Sequence, residues 1–67
     1  MPLDVAGRLK AARNDKGLSQ RALSARTGVA NATTSQIESG RVNPTITMLE
    51  RILPGLDLDL ATFVSDR

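Results

Sequence analysis

The sequence predicts an all-α protein, folded as a compact five-helix domain. Apolar residues recur at steps of three and four along much of the chain, which is the spacing of one helix face. Gly17, Gly28, Gly40 and the pair Pro54–Gly55 divide the chain into short segments at points where helices end. The balance of 40% hydrophobic and 24% charged residues is that of an ordinary globular protein. Because 67 residues allow one small core, we treat 1–67 as a single domain.

The first helix is predicted from Asp4 to Lys16. Asp4 is a favourable N-cap residue, and Gly17 follows the cation Lys16, as expected at a helix C-terminus. The apolar positions of this segment repeat at steps of four and three: Val5, Leu9 and Ala12.

Two shorter helices come next, and together they predict a helix-turn-helix at about 19–39. Ser19 is expected to cap a helix at 20–26, Gly28 to end it, and a third helix to run over 31–39. Because helices this short are marginal alone, they must pack on the rest of the domain. The residues expected to reach the core from this unit are Leu23, Val29 and Ile37.

A fourth helix is predicted after Pro44, with Thr45 as its cap or first residue. Pro54–Gly55 should stop or kink this helix near Leu53, because proline removes a backbone donor and glycine is a poor helix former. Its predicted inner face contains Ile46, Leu49, Ile52 and Leu53.

The segment after Pro54–Gly55 has two interpretations. Leu56 to Leu60 alternates leucine with aspartate, which is typical of a strand. Alternatively, Asp59 caps a short fifth helix, whose inner residues would be Leu60, Phe63 and Val64. The five-helix prediction adopts the helical interpretation, but the alternating pattern leaves a strand as the alternative.

The composition argues against several classes of function. The chain has no Cys and no His, which removes disulfides, thiolate sites, and the commonest general base and metal ligand. Phe63 alone cannot form the aromatic platforms of single-strand binding proteins. There is no phosphate-cradling glycine loop and no apolar run near the ~18 residues of a membrane span. We therefore expect no enzymatic activity, cofactor, metal or membrane. Since the start does not resemble a signal peptide, we expect a cytoplasmic protein.

Charge is unevenly distributed, although the net charge is only +2. Residues 1–44 carry seven cations and three anions, whereas residues 45–67 carry two cations and four anions. A basic first part suits a polyanion such as nucleic acid, and a solvated mixed surface is the simpler alternative.

The outward face of the third helix has an unusual composition for a surface helix. Exposed helices normally carry Lys, Glu and Arg, but this face carries small or amide side chains: Asn31, Ala32, Ser35 and Gln36. Such side chains suit base edges in a major groove, because amides bond adenine and methyl groups meet thymine methyls. The alternative role for the polar residues is solubility.

These motifs resemble the lambda-repressor/Cro-type helix-turn-helix family, also called the XRE family. The resemblance extends from Val5 to Val64, and it is carried by Leu-Ser-Gln at 18–20, Gly-Val at 28–29 and Ser-Gln-Ile-Glu-Ser-Gly-Arg at 35–41. In pattern it is nearest to the DNA-binding domains of cupin-carrying bacterial regulators. The positions that depart from the family pattern are Ser24, Thr27, Ala30, Thr34 and Pro54–Gly55. The threonines and the serine predict a loose core between the second and third helices, and Asn31 could take over the cap that Ala30 lacks.

The resemblance implies a sequence-specific double-stranded DNA-binding protein that regulates transcription, and we expect a repressor. It implies base contacts from Asn31, Ala32 and Gln36, with Ser35 as a weaker candidate. The implied DNA backbone contacts come from Gln20, Ser39, Arg41 and Asn43. An Arg on the first helix pairs with a Glu at the end of the third in similar domains, which predicts a structural Arg13–Glu38 ion pair.

We further expect a homodimer on a palindromic operator, formed through the C-terminal segment. That segment has more apolar residues than one short helix needs for its own core: Leu56, Leu58, Leu60, Phe63 and Val64. Alternatively, it only covers the core of one monomer. A different class of function is an antitoxin-like protein-interaction module that uses the acidic, leucine-rich segment 56–64, and this function can coexist with DNA binding.

Overall fold

The structure, a computed structural model, describes residues 4–65 and confirms the all-α fold. Within that range it contains no strand and five α-helices, with a single turn of 3₁₀ helix, Leu53–Leu56, between the last two. No helix of this part of the chain is long and apolar enough to cross a membrane. The helices are α1 (Val5–Asp15), α2 (Gln20–Thr27), α3 (Asn31–Glu38), α4 (Ile46–Ile52) and α5 (Leu60–Val64).

Helix starts follow the capping chemistry of the sequence. At four of the five starts, a side-chain oxygen accepts a hydrogen bond from a backbone N–H three residues later, which satisfies one orphan donor of the first turn. Gly28 ends α2 with φ 74°, a left-handed conformation that glycine adopts without steric penalty. The four capping residues are Asp4, Ser19, Thr45 and Asp59.

The leucine–aspartate alternation after Pro54 is not a strand. The 3₁₀ turn carries the chain to Asp57, which has φ 57°, and the Leu58 N–H then donates to the Leu53 carbonyl at 3.1 Å. Asp59 Oδ1 accepts from the Thr62 N–H at 2.7 Å and begins α5. The alternation therefore reflects a turn followed by a helix cap, as the helical interpretation predicted.

The core lies between all five helices and the 3₁₀ turn. Two residues of the predicted inner faces are exceptions: Val64, the last residue of α5, is 42% exposed, so placing it on the inner face was wrong, and Ile46 is 57% exposed. It is the first residue of α4, and since helical Cα–Cβ bonds lean towards the N-terminus, its side chain extends past the core. Placing Ile46 on the inner face was therefore wrong. The buried hydrophobic residues are Leu9, Leu23, Val29, Ile37, Leu49, Ile52, Leu53, Leu56 and Phe63.

Polar residues that depart from the family pattern add hydrogen bonds to the turn between α2 and α3. The Ser24 hydroxyl donates to the Val29 carbonyl at 2.6 Å, and Thr27 Oγ1 accepts from the Val29 N–H at 3.1 Å. Both side chains thus hold Val29 from the end of α2. Thr34 differs, because it is fully buried and its hydroxyl has no hydrogen-bond partner in the part of the chain that the structure describes.

Gly55 lies against α2 at very short range. A Cβ atom at this position would be 2.5 Å from Thr27 Cγ2 and 3.2 Å from Leu23 Cδ1. The 3₁₀ turn packs on both α2 and α4, so the missing side chain lets the end of α4 approach the helix-turn-helix. Gly55 is therefore a packing residue in addition to a helix breaker.

Candidate nucleic-acid interface

The outward face of α3 has the exposure expected from its sequence. Asn31, Ala32 and Gln36 are exposed, and Ser35 is half-buried. Residues three and four positions apart share one side of a helix, so Asn31 and Ala32 lie beside Ser35, Ala32 lies beside Gln36, and the four form one continuous face. Among residues 4–65, no hydrogen bond uses the side-chain amide of Asn31 or of Gln36. Both amides are thus open to an external partner, and each offers a donor and an acceptor.

The start of α3 lacks a side-chain cap. Ala30 occupies the N-cap position, and no side chain accepts a hydrogen bond from the first turn. Asn31 is the first helical residue and does not take over the cap. The prediction that Asn31 could take over the cap is therefore wrong, and its amide is not committed to the backbone.

The loop after α3 places two exposed side chains beside that face. The Gln36 carbonyl accepts from the N–H groups of Arg41 at 3.0 Å and Val42 at 3.3 Å, which folds the loop back onto the end of the helix. Arg41 and Asn43 are exposed. Ser39 is less available, because its hydroxyl already donates to the Gln36 carbonyl at 3.0 Å.

The structure brings Arg13 and Glu38 together as a bidentate ion pair between α1 and α3. Arg13 Nε donates to Glu38 Oε2 at 2.8 Å, and Arg13 Nη2 donates to Glu38 Oε1 at 3.0 Å. Arg13 Nη1 also donates to the Leu18 carbonyl at 2.7 Å, which ties the loop before α2 to the same group. The pair therefore fixes α1, α3 and the α1–α2 loop against one another.

The pKa values of Arg13 and Glu38 are shifted in the directions that favour the charged form of each group. Burial by itself would raise the pKa of Glu38, but the hydrogen bonds from Arg13 and Gln20 and the nearby charges of Arg13 and Lys10 hold it below its ordinary value. The hydrogen bond to Glu38 raises the pKa of Arg13, although burial opposes this. Both groups are thus charged near neutral pH.

Gln20 has a second partner that the sequence did not predict. Its Nε2 donates to Glu38 Oε1 at 3.1 Å, and the residue is half-buried at the start of α2. The two residues are 18 positions apart, so no local pattern could indicate the contact. Gln20 is therefore part of the Arg13–Glu38 cluster as well as a candidate backbone contact.

Several cations of the basic first part hold the fold together. Lys16 pairs with Asp57 at 2.9 Å, Arg26 donates to the Gly55 carbonyl at 3.0 Å, and Arg8 donates to carbonyls near the end of α5. These contacts connect α1 and α2 to the acidic C-terminal segment. Among residues 4–65, the exposed cations without an intramolecular hydrogen bond or ion pair include Lys10, Arg21 and Arg41.

The structure shows no candidate metal centre in residues 4–65, since no three carboxylates cluster there. One surface groove, of about 300 Å³, lies between α4 and the start of α5. Its lining is mostly apolar and includes two carboxylates. The residues that line it are Glu50, Leu53, Pro54, Leu58, Asp59 and Leu60.

Comparison with solved structures shows three similar chains. A transcriptional regulator of the HTH_3 family from Vibrio cholerae has a TM-score of 0.86 and 39% identity, over 91% of this chain and 34% of that one. A mutant of the restriction-modification controller protein C.Esp1396I has a TM-score of 0.84 and 31% identity, over 91% of this chain and 77% of that one. The SinR–SinI complex contains a chain with a TM-score of 0.83 and 33% identity, over 92% of this chain and 61% of that one.

This chain spans about a third of the length of the Vibrio cholerae regulator. No match was found among curated proteins. The helix-turn-helix family model HTH_3 matches residues 9–63, a range that includes α2, α3 and most of the core. The chain therefore belongs to the HTH_3 helix-turn-helix family.

Proposed function

We propose that this protein binds double-stranded DNA in a sequence-specific way, inserts α3 into the major groove, and represses transcription. The observation that carries the proposal is the outward face of α3, whose exposed amides make no hydrogen bond within the described residues 4–65. Asn31 and Gln36 would each bond an adenine edge, and the Ala32 methyl would meet a thymine methyl. Ser35 is half-buried and contributes less. A protein bound at an operator excludes other proteins from the same groove, which is the simplest route to repression.

The DNA backbone contacts in this proposal flank the same face. Arg41 and Asn43 are exposed in the loop after α3, and Gln20 lies at the start of α2, where the helix dipole favours a phosphate. Ser39 is the weakest of the four candidates, because its hydroxyl must leave the Gln36 carbonyl before it can donate to a phosphate. These contacts would set the register of α3, and α3 would supply the specificity.

The proposed working form is a homodimer on a palindromic operator. One domain reads only a few base pairs, whereas a genome offers ~10⁶ or more competing sites, so two copies on half-sites about 34 Å apart are needed. Most of the leucine-rich segment packs on its own core, which leaves Leu58 and Leu60 half-buried at the groove beside α4. We propose that this groove receives the second copy.

The test of base reading is selection of duplexes from a randomised library by the wild type and by Gln36→Ala. We expect the variant to lose roughly 1–3 kcal/mol of affinity for the preferred duplex and to relax preference at one or two base pairs. Thr62→Ala, an exposed change on α5, serves as the control and should leave both unchanged. An unchanged affinity and an unchanged base preference for Gln36→Ala would contradict the proposed register of α3.

The test of assembly is sedimentation at tens of micromolar, with and without a duplex of two inverted half-sites. A dimer that Leu60→Asp converts to a monomer supports the proposed pairing. A monomer under both conditions contradicts it. A tight complex of the groove with a different protein, together with absent DNA specificity, would instead favour the antitoxin-like alternative.

A further inference from the structure

The side chain of Glu38 carries more hydrogen bonds than an ion pair requires. It is only 3% exposed, and it accepts two hydrogen bonds from Arg13 and one from Gln20. Glu38 Oε1 is shared between Arg13 Nη2 at 3.0 Å and Gln20 Nε2 at 3.1 Å. The last residue of α3 is thereby connected to the first residue of α2.

This connection determines how the Gln20 amide is oriented. A carboxylate paired with a guanidinium can only accept hydrogen bonds, so the atom of Gln20 that faces Glu38 must be the nitrogen. The amide nitrogen has two N–H groups about 120° apart, and the contact with Glu38 occupies only one of them. The second N–H has no intramolecular partner among residues 4–65. It is the group with which Gln20 can donate to an anion.

We propose that Glu38 is a positioning residue for Gln20: it holds the Gln20 amide nitrogen at the start of α2 so that the second N–H donates to a DNA phosphate. This inference rests on the proposed DNA-binding function and deepens it. A free glutamine side chain has many rotamers and loses that freedom when it binds. Glu38 reduces the conformational entropy that Gln20 loses on binding DNA, because it already orders the Gln20 side chain in the free protein.

The ion pair with Arg13 makes this arrangement compatible with DNA. An unpaired carboxylate beside a phosphate would repel it, but the charge of Glu38 is balanced by Arg13, and the cation Lys10 is also close enough to influence it. Arg13 therefore neutralises Glu38 and Glu38 orients Gln20. Glu38 thus has a binding role in addition to its structural one.

The experiment is a double-mutant cycle on affinity for the selected duplex. Gln20→Ala should weaken binding about tenfold, as for a lost hydrogen bond to a charged group. Glu38→Gln should weaken binding in the wild-type background and have little further effect beside Gln20→Ala. Beside Gln36→Ala, the control pair, its effect should stay additive, since no hydrogen bond joins the side chains of Gln36 and Glu38 among residues 4–65. Equal effects of Glu38→Gln in both backgrounds would show that it acts only through the fold and would overturn the proposal.

A second measurement needs no variant. In the free wild-type protein, ¹⁵N relaxation of the Gln20 side-chain amide should show order close to that of the α2 backbone, whereas the Gln36 amide should be mobile. A mobile Gln20 amide overturns the proposal even if both cluster variants unfold. If Gln20→Ala leaves affinity unchanged while the wild type binds its duplex specifically, the positioning role fails and the proposed function stands. If the wild type shows no specific binding, the proposed function itself fails.

Discussion

Gly55→Ala tests how closely the end of α4 approaches the helix-turn-helix. The φ angle of Gly55 is not in the left-handed region, so the backbone accepts alanine and the obstacle is steric. The new Cβ would be 2.5 Å from Thr27 Cγ2, about 1 Å closer than an unstrained carbon contact. The substitution therefore forces the 3₁₀ turn away from α2 or pushes Thr27 out of its place.

The expected destabilisation follows from two opposing contributions. Overpacking a filled site costs about 1–3 kcal/mol. Replacing glycine by alanine restricts the unfolded chain and returns about 0.4–1 kcal/mol. The free energy of unfolding should therefore fall by about 1–2 kcal/mol, and each kcal/mol lowers Tm by about 4–8 °C in a domain of this size.

The assay is urea unfolding followed by circular dichroism, run as a cycle with Thr27→Ser. Serine removes the clashing methyl and keeps the oxygen that accepts from the Val29 N–H. The penalty of Gly55→Ala should shrink by about 1 kcal/mol in that background. Gly17→Ala is the control, because its penalty comes from φ 70° with no atom nearby and should not be rescued. If Gly55→Ala is as stable as the wild type, or Thr27→Ser fails to rescue it, the steric account is wrong.

Three further predictions concern the core, the pH dependence and the DNA backbone. Thr34→Val should raise the free energy of urea unfolding by about 1 kcal/mol, because it removes a buried hydroxyl that has no hydrogen-bond partner within residues 4–65. A lower free energy of unfolding in the variant would show that the hydroxyl is hydrogen-bonded. Burial alone would raise the pKa of Glu38, but the hydrogen bond from Arg13 helps to hold this pKa below its ordinary value of 4.5. The ionised carboxylate of Glu38 therefore stabilises the fold above pH 4.5, and this stabilisation is lost as the pH falls through the pKa of the folded state. Acid unfolding of Glu38→Gln should lack this component, and identical wild-type and variant profiles below about pH 4.5 would refute it. Arg41→Ala should weaken the binding of all duplexes nearly equally, and it should reduce the slope of log affinity against log salt concentration by about one. Arg51→Ala, which removes an exposed cation of α4, is the control and should have no effect. A change in base preference would instead show that Arg41 reads bases.

Features set by local chemistry could be predicted from the sequence. Helix starts depend on a side-chain oxygen three residues before a backbone N–H, and the end of α2 depends on a left-handed Gly28. Both requirements are visible in a few adjacent residues. The outward face of α3 could also be predicted, since its residues lie at helical spacing; three of the four are exposed, and Ser35 is half-buried.

Features set by distant contacts could not be predicted. The close approach of Gly55 to Thr27 and the hydrogen bond from Gln20 to Glu38 join residues far apart in sequence. Ile46 and Val64 were misplaced because the apolar spacing indicates a face but does not show where the core ends. In each case the determining quantity is a distance between helices, which one sequence does not contain.

The most direct test of the central claim is an NMR titration of the ¹⁵N-labelled protein with its selected duplex, set against a scrambled duplex of the same length. Saturable shifts for the selected duplex should concentrate at the start of α2, along α3 and in residues 39–43. The scrambled duplex should give weaker shifts that vanish as salt is raised. Equal responses to both duplexes, or shifts centred on α4 and α5, would contradict the proposal that α3 reads DNA.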